Sequence, residues 1–583
     1  MRGLRTLISG IKPAPDLASG GRRSPHEFEG VRKAQGTQAK NRIIIAIACF
    51  GVFYAVIGGR LVQYGMRSPE TVSSIARPDQ LLISRPDLMD RNGEVLATDI
   101  RTVSLFAEPN KIIDADEAIE LLATVLPDLD MRGIHRKLTS KSRFQWLRRQ
   151  LTPKQQSQIL SLGIPGIGFR PETRRFYPGG PTASHVVGHV NIDNKGIAGM
   201  EKYVDGQGLG DLAAAGMTVN EDMKPVRLSL DLRVQHVLRD ELAAAMDRYK
   251  AIAAAGVVLN VHTGEVVGMS SLPDYDPNNP VEALQKDRLN RMSAGTYEMG
   301  STFKAFTTAM ALDSGLVKMS DTFDARGSIR IGGFTIRDFH GKNRVLTVPE
   351  IFIYSSNIGT ARMADMVGIE GHKEFLTRLG LLTRMDTEIP EVATPNQPSV
   401  WKKINSITIS FGHGVSTTPL QTAVAAAALM NGGKLIEPTF MPRTEAEADK
   451  VAIQVIKPST SKSMRDLMEM NVAKGSGRRA EVEGFHVGGK TGTAEKVVNG
   501  RYNSSVRFNA FLSAFPIDDP QYVVLVVVDE PKPEEGAHSA TAGLNAAPTV
   551  SAVIRRSAGF LGVKPQFGNG SQELSLTYSK QPY

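Results

Sequence analysis

The chain has 583 residues and a formal net charge of +9 at pH 7, a length that allows about three or four domains. Residues 1–42 hold nine Lys or Arg and three Asp or Glu, so most of the net charge lies in this tail and the remaining chain is nearly balanced. No basic stripe with interleaved aromatic side chains follows it, which argues against a nucleic-acid-binding protein.

Residues 43–59 form an uncharged apolar run between Arg42 and Arg60, at the short end of the roughly 17–25 residues that span hydrocarbon as a helix. The run lacks both the polar face of a core helix and the cleavage site of a signal peptide. We therefore predict an uncleaved anchor, with the basic tail 1–42 in the cytoplasm and the chain after Arg60 outside. The single cysteine, Cys49, lies in the anchor, so the exported part has no disulfide and no cysteine-based metal site. We expect neither a metal nor a cofactor.

Residues 60–226 are predicted to form a mixed domain. A turn at 90–93 between short apolar segments indicates a hairpin, and residues 115–126 and 153–162 have helical patterns. No nucleophile lies beside a base in this region, so a spacer or interaction domain is the favoured interpretation.

Residues 227–561 are predicted to form an α/β domain. Buried strands are expected near both ends of the region and helices in the middle. Strands from both ends that close around helices indicate an antiparallel sheet with a helical subdomain. The predicted strands are 256–261, 265–269, 509–515 and 522–528, the first predicted helix is 235–246, and the helical middle is about 290–475. Residues 562–583 read as a loose polar tail.

Three short motifs occur in order: Ser301-x-x-Lys304, Ser355-x-Asn357 and Lys490-Thr-Gly-Thr493. Together they are the signature of serine β-lactamases and penicillin-binding proteins. Ser459-x-x-Lys462 also fits the first pattern, but it follows a proline in what reads as a polar connector.

Ser301 is predicted to begin a helix, which places Lys304 one turn away on the same face. A lysine can take the serine proton only when it is neutral, and burial together with a second cation lowers its pKa. Lys490 is the candidate second cation. The alternative is a helix cap with a solvated lysine.

Gly488 and Gly489 precede the third motif, and strand glycines mark a close backbone approach. We expect a substrate peptide to add to this strand as an antiparallel partner. Lys490, Thr491 and Thr493 then offer donors for a substrate carboxylate. The backbone N–H groups of Ser301 and Thr493 are candidates for an oxyanion hole, and Gly492 is grouped with Lys490, Thr491 and Thr493 as a candidate substrate-binding residue. The alternative is an ordinary edge strand.

Ser355 and Asn357 lie in a polar island between apolar segments. Ser355 is a candidate proton relay, and Asn357 is a candidate for orienting a substrate amide. Both side chains could also cap the helix predicted to begin near Ile358.

These motifs, behind a single anchor, resemble those of the class B penicillin-binding proteins, and the resemblance covers nearly everything after Arg60. The flanking stretches that support it are 228–235, 263–265, 273–278, 346–351 and 411–421. The family commonly has proline where this chain has Met299, a change that removes no catalytic atom. Ile336-Arg-Asp338 and residues 196–201 are similar to the division-specific type.

The resemblance implies a periplasmic D,D-transpeptidase held in the inner membrane, with residues 60–226 as its pedestal, or dimerisation-type, domain. Ser301 would attack the D-Ala–D-Ala bond of a peptidoglycan stem peptide, and β-lactams would trap the same serine. The implied partners are a membrane-embedded lipid II polymerase and other division proteins.

Three alternatives remain at this stage. One is an elongation-specific transpeptidase of the same class, and another is a division scaffold or penicillin sensor without essential catalysis. A β-lactamase is the third, and the anchor, the pedestal and the flanking stretches argue against it.

Overall fold

The computed structural model describes residues 44, 47–59, 85–209, 224–498 and 500–567, and the chain divides into two compact units, Met1–Gln80 and Leu81–Tyr583. In the first unit, residues 47–59 form helix α1. No helix in these ranges has the length and apolar character needed to cross a membrane. The predicted basic tail 1–42 and most of the predicted polar tail, from residue 568 onward, lie outside the described residues.

The N-terminal part of the second unit mixes short helices with a sheet. Its strands are β1 (Leu88–Met89), β2 (Val95–Ala107), β3 (Gln145–Leu151), β4 (Ile167–Phe176), β5 (His189–Val190), β6 (Gly196–Ala198) and β7 (Val226–Arg227). Its helices are α2 (Ala115–Val125), α3 (Met131–Leu138), α4 (Pro153–Ser161), α5 (Ser184–Val187) and α6 (Gly199–Val204).

The predicted hairpin and both predicted helices of this part are confirmed. Asp90 accepts hydrogen bonds from two backbone N–H groups of its own turn, which folds β1 back onto β2. Asp114 and Thr152 cap the starts of α2 and α4 with their side-chain oxygens, as short polar side chains do at helix N-termini.

A buried ion network fixes β4 to α6. Glu201 is fully buried and accepts hydrogen bonds from Arg85 Nε at 2.9 Å and Arg175 Nε at 2.6 Å. Arg175 also pairs with Asp99 at 3.1 Å, and Arg85 pairs with Asp205. Buried charges persist only when they are paired in this way, so β4 and α6 meet at one electrostatic centre.

Replacing Glu201 with glutamine should destabilise the protein by about 3–5 kcal/mol, because removing one member of a buried ion network leaves its partners uncompensated. Urea unfolding followed by circular dichroism measures the change. Asp128→Asn is the matched control, because Asp128 pairs with Arg148 on an exposed surface, where such pairs contribute little. An unchanged unfolding midpoint for Glu201→Gln would show that the network is not needed for stability.

The C-terminal part contains the larger sheet and most of the helices. Its strands are β8 (Ala253–Asn260), β9 (Val266–Leu272), β10 (Thr322–Asp324), β11 (Ile329–Ile331), β12 (Phe334–Ile336), β13 (Val345–Thr347), β14 (Lys434–Leu435), β15 (Ile453–Gln454), β16 (Gly488–Val498), β17 (Arg501–Phe515) and β18 (Tyr522–Asp529). Its helices are α7 (Leu232–Tyr249), α8 (Phe303–Asp313), α9 (Val348–Ile353), α10 (Asn357–Arg378), α11 (Lys403–Ser410), α12 (Pro419–Met430), α13 (Glu445–Val451), α14 (Pro458–Lys474) and α15 (Ala546–Ser557).

The main sheet has the order β16-β17-β18-β8-β9 and is antiparallel throughout. Alternate residues of β18 enter opposite cores: Val524 and Val526 join the core formed with α7 and α15, whereas Val523 and Leu525 join the core that includes α8 and α12. This period of two is what a strand covered on both faces requires. The predicted α/β architecture, with strands from both ends of the region around central helices, is confirmed.

Candidate active site

Ser301 lies in a single 3-10 turn, Gly300–Thr302, that leads directly into α8. The helix start predicted at Ser301 is therefore confirmed, and α8 ends at Asp313, just before Gly315. Ser301 is half-buried, whereas Lys304 is only 1% exposed. The serine can be reached from solvent and the lysine cannot.

Two buried lysines converge on the hydroxyl of Ser355. Lys304 Nζ lies 3.0 Å from Ser355 Oγ and 2.5 Å from the Ser355 carbonyl oxygen. Lys490 Nζ approaches the same Oγ at 3.1 Å, and Lys490 is 0% exposed. The structure thus joins all three motifs at one oxygen atom, with α8, the α9–α10 junction and β16 each supplying one side chain.

Burial lowers the pKa of Lys304 well below its usual value, and the neighbouring charge of Lys490 lowers it further, while Asp338 opposes the shift. Burial also lowers the pKa of Lys490, to about 7. Two cations this close in a dry site disfavour each other's charged forms. The predicted pairing of a buried lysine with a second cation is present in the structure.

Ser355 adopts a left-handed backbone conformation, with φ of 56°. Its N–H bonds to the Phe352 carbonyl at 3.3 Å, and the next N–H, of Ser356, bonds to the Ile351 carbonyl at 2.9 Å. This pair of bonds is the Schellman motif that ends many helices, with serine in the place that glycine usually takes. The motif terminates α9 and aims the Ser355 hydroxyl at the two lysines.

The predicted caps of α10 are wrong, because Ser356 is the capping residue. Its Oγ accepts a hydrogen bond from the Gly359 N–H at 3.0 Å and donates one to Asp338 at 2.7 Å. Asn357 is already the first residue of α10, and its side-chain amide donates to the Arg337 carbonyl at 2.9 Å. With Ser356 facing the helix, Ser355 and Asn357 on either side of it are left for other contacts.

Strand β16 lies at the edge of the main sheet. Thr491 shares a 2.6 Å hydrogen bond with Ser476, and Thr493 Oγ accepts a hydrogen bond from the Ala542 N–H at 3.1 Å. Thr493 is partly exposed, whereas Lys490 points into the protein toward Ser355. Thr493, rather than the lysine amine, therefore lies at the accessible side of this motif, and Thr491 is buried beside it.

Three glycines allow the Ser301 turn to lie directly against β16 and the loop after α11. A Cβ atom at Gly492 would overlap the Met299 carbonyl oxygen and lie 2.7 Å from Thr302 Cγ2. A Cβ at Gly300 would lie 2.8 Å from the Thr493 carbonyl oxygen, and one at Gly412 would overlap the Gly300 carbonyl oxygen. The Ser301 turn is thus placed by backbone contacts that leave no room for a side chain at these three glycines.

The expectation that Gly488 and Gly489 mark the approach of a substrate peptide is not supported. A Cβ at Gly488 would lie 2.5 Å from an Ile517 methyl group, and one at Gly489 would lie 2.7 Å from the ring of Phe511. Both glycines make room for the protein's own core.

The connector predicted around Ser459 is wrong, because Ser459 lies in the first turn of α14. A proline at the first helical position is favourable, and apolar residues such as Met464 and Leu467 then bury one face of the helix. Ser459 and Lys462 are both exposed to solvent. The second Ser-x-x-Lys match therefore lacks the buried lysine of the first.

The comparisons with known proteins agree with this arrangement. Residues 83–212 match the penicillin-binding protein dimerisation domain. Residues 254–555, more than half of the chain, match the penicillin binding protein transpeptidase domain. The chain belongs to the class B penicillin-binding proteins.

Curated members of this family align along most of the chain. A probable peptidoglycan D,D-transpeptidase FtsI of Caulobacter vibrioides is 40% identical over 491 residues, 82% of each chain. A probable peptidoglycan D,D-transpeptidase PenA of Neisseria gonorrhoeae is 32% identical over 90% of this chain and 94% of its own. The peptidoglycan D,D-transpeptidase FtsI of Escherichia coli is 29% identical over 84% of this chain and 87% of its own.

The sequence motifs did not identify two carboxylates that lie near the candidate site, Asp338 and Glu298. Asp338 accepts hydrogen bonds from Ser356 and from the Ile358 N–H, so it holds the start of α10. Glu298 accepts hydrogen bonds from the Gly414 N–H at 2.7 Å and the Tyr502 hydroxyl at 3.0 Å. A single sequence marks neither residue, because both partners come from segments that are distant along the chain.

Within the described residues, neither His340 nor His413 forms a hydrogen bond with Lys304 or Lys490. His340 is exposed beside Phe339. Burial, together with the charge of Lys304, lowers the pKa of His413 to about 4, so its ring is neutral near pH 7. Its ring packs against Tyr502.

Gly492→Ala should slow acylation by a fluorescent penicillin at least about 100-fold, because the new methyl group displaces the Ser301 turn and a small misplacement of reacting groups has an effect of this size. The second-order rate constant of labelling measures it. Gly559→Ala is the control, because a Cβ at Gly559 meets nothing within 4 Å. Labelling of Gly492→Ala at the unaltered rate would mean that the turn does not need this close contact.

Proposed function

We propose that this penicillin-binding protein is a D,D-transpeptidase that cross-links peptidoglycan stem peptides through an acyl-enzyme on Ser301 during cell division. The observation that carries the proposal is that Lys304 and Lys490 both contact Ser355 Oγ. Lys304 lies about one helical turn after Ser301, which is accessible to solvent. All three cited relatives are named as peptidoglycan D,D-transpeptidases, an activity that this geometry supports. Two of them are FtsI proteins.

In the acylation step, Ser301 Oγ attacks the carbonyl carbon of the penultimate D-Ala while its proton passes to the neutral amine of Lys304. The low pKa of Lys304 supports this role, because a charged lysine cannot accept a proton. Ser355 joins the two lysines by hydrogen bonds, so it can carry a proton to the departing amine of the terminal D-Ala. The carbon–nitrogen bond breaks, free D-Ala leaves, and an ester on Ser301 remains.

The donor peptide is proposed to bind along the open edge of β16, adding a strand to the sheet. The hydroxyls of Thr491 and Thr493 would contact its terminal carboxylate, and the charge of Lys490 behind them would attract it. Asn357 would hold the peptide amide. The N–H groups of Ser301 and Thr493 would bind the oxyanion, a contribution of roughly 10²–10³ in rate for each donor.

The second half-reaction returns the enzyme to its starting state. An amine from a neighbouring stem peptide attacks the ester carbon, loses a proton to Lys304, and releases Ser301 as the alcohol. The product is a new peptide bond between two strands. A β-lactam would also form an ester with Ser301. Its carbon–nitrogen bond lies in a ring, so the amine stays attached to the acyl group after the ring opens, and penicillin should therefore label Ser301.

We further infer a domain plan in which residues 60–226 form the pedestal and residues 227–561 the transpeptidase domain. The apolar run 43–59 behind the basic tail supports a single membrane anchor, a cytoplasmic N-terminus and a periplasmic catalytic domain. A lipid II polymerase embedded in the membrane and other division proteins are the proposed partners of the pedestal.

Ser301→Ala should abolish covalent labelling by fluorescent penicillin, because the proposed mechanism places the acyl group on Ser301 and gives Ser355, which both buried lysines contact, only the role of a proton relay. Gel fluorescence and peptide mapping of the labelled protein measure this. Ser459→Ala is the matched control and should label at the wild-type rate. Label on Ser459, or rapid loss of label from the wild type through hydrolysis, would contradict the transpeptidase assignment.

A correctly localised Ser301→Ala protein should also fail to replace the wild type in dividing cells. Full support of division by this variant would favour the scaffold or sensor alternative.

Lys490→Met should move the acid limb of the penicillin acylation profile to higher pH. Removing a neighbouring cation favours the charged form of Lys304, so its pKa rises and the free amine is populated only at higher pH. The effect should be largest below the pKa of Lys490, about 7, where Lys490 is charged in the wild type. The pH dependence of the second-order acylation rate measures the shift.

Lys462→Met is the control for this experiment, because Lys462 is exposed on α14. Its profile should superimpose on that of the wild type. An acid limb of Lys490→Met that stays in place, or moves to lower pH, would show that Lys490 does not govern the protonation of Lys304.

A further inference from the structure

A cationic segment borders the Ser355–Asn357 motif. Residues 326–344 contain five Lys or Arg and one Asp. Two of these cations are paired locally, Arg326 with Asp324 and Arg344 with Glu350. Arg330, Arg337 and Lys342 are exposed and form no ion pair within the described residues. The segment therefore presents uncompensated positive charge to solvent.

Exposed aromatic rings accompany this charge. Phe334 is 64% exposed and Phe339 is 69% exposed. Lys342 Nζ lies 4.8 Å from the ring centre of Tyr354, which is itself exposed. Single exposed apolar residues are ordinary, but here three exposed aromatic residues accompany three exposed cations that lack ion pairs in the described part of the chain, and Lys342 contacts Tyr354 directly. We call this group the hairpin surface; it comprises Arg330, Phe334, Arg337, Phe339, Lys342 and Tyr354.

The hairpin surface is directly connected to the candidate active site. Tyr354 immediately precedes Ser355, and the Arg337 carbonyl accepts a hydrogen bond from the Asn357 amide. Asp338, between Arg337 and Phe339, holds the start of α10 through Ser356. A molecule bound on this surface would therefore lie beside the groups that handle the acyl-enzyme.

We propose that the hairpin surface binds the acyl acceptor, a carboxylate-bearing peptide whose amine attacks the ester on Ser301. The proposal rests on the proposed function, in which the donor peptide occupies the edge of β16. Carboxylates complement the unpaired cations and are attracted before contact, and the aromatic rings bury the apolar part of a peptide. In this proposal, the acceptor stem peptide binds to the surface beside Ser355 and Asn357.

The test separates the two half-reactions of the full-length protein. A thioester peptide ending in D-Ala forms the acyl-enzyme, and mass spectrometry measures its partition between water and an added amine. The acceptors are a peptide with two carboxylates and the same peptide with both carboxylates amidated. In the double variant Arg330→Gln/Lys342→Gln, the apparent KM for the acidic acceptor should rise about tenfold, the size expected for two exposed charge pairs.

Penicillin acylation of this variant should stay at the wild-type rate, and transfer to the amidated acceptor should be unaltered. The reversal Arg330→Glu/Lys342→Glu should raise the KM for the acidic acceptor further. Added salt should raise this KM in the wild type and have little effect in the Gln variant, because exposed charges are screened.

Arg136→Gln/Lys141→Gln is the matched control. It removes the same two charges from exposed positions in α3 and the loop after it, and acceptor use should match that of the wild type.

Four results would overturn the proposal. If the KM of the double Gln variant for the acidic acceptor were unaltered, the hairpin surface would not bind the acceptor. If its KM for the amidated acceptor rose equally, charge would not be the basis of binding. Slower penicillin acylation would assign the surface to the donor instead. A variant with normal acceptor use that fails only to support division would assign the surface to a protein partner. If the wild type forms no acyl-enzyme at all, the proposed function fails first, and the two failures remain distinguishable.

Discussion

The contact of two buried lysines with one serine hydroxyl is the constraint on which the site depends. Lys304 and Lys490 are almost fully buried, and the nearest carboxylate in the motif region, Asp338, is occupied by Ser356 and the start of α10. Two charged amines cannot remain together in such a place without compensation. Burial and the neighbouring Lys490 therefore lower the pKa of Lys304 and favour its free amine, which is the form that the proposed mechanism requires.

Backbone geometry brings the three motifs together. Gly300, Gly412 and Gly492 remove side chains where the Ser301 turn meets β16 and the loop after α11. Ser355 adopts a left-handed conformation that costs about 1–3 kcal/mol, and in this conformation its hydroxyl reaches both lysines. The surrounding packing supports this strain, because α9 and α10 are anchored in buried cores on either side of the junction. The chemistry thus relies on main-chain contacts that motif letters alone do not express.

The sequence predicted the elements well and the contacts only in part. Alternating or continuous apolar runs located the strands of the main sheet, and apolar residues at helical spacing after Ser301 located α8, because both signals are local. Which serine caps α10 depended on whether Ser355 or Ser356 takes the left-handed position, a choice set by the end of α9. Asp338 and Glu298 contact partners from distant segments, so no local pattern revealed them. Ser459 matched a motif but lies on an exposed helical face, a difference that only tertiary structure could show.

The hairpin surface and the lysine pair share one structural support. Asp338 receives hydrogen bonds from α10, and its neighbours Arg337 and Phe339 face solvent on the same segment. A ligand bound to this segment would lie beside the Ser355–Asn357 motif, because the Arg337 carbonyl accepts a hydrogen bond from the Asn357 amide. Binding of the proposed acceptor there would place its amine near the acyl-enzyme. Water lacks this positioning, so the arrangement would favour transfer to a second stem peptide over hydrolysis.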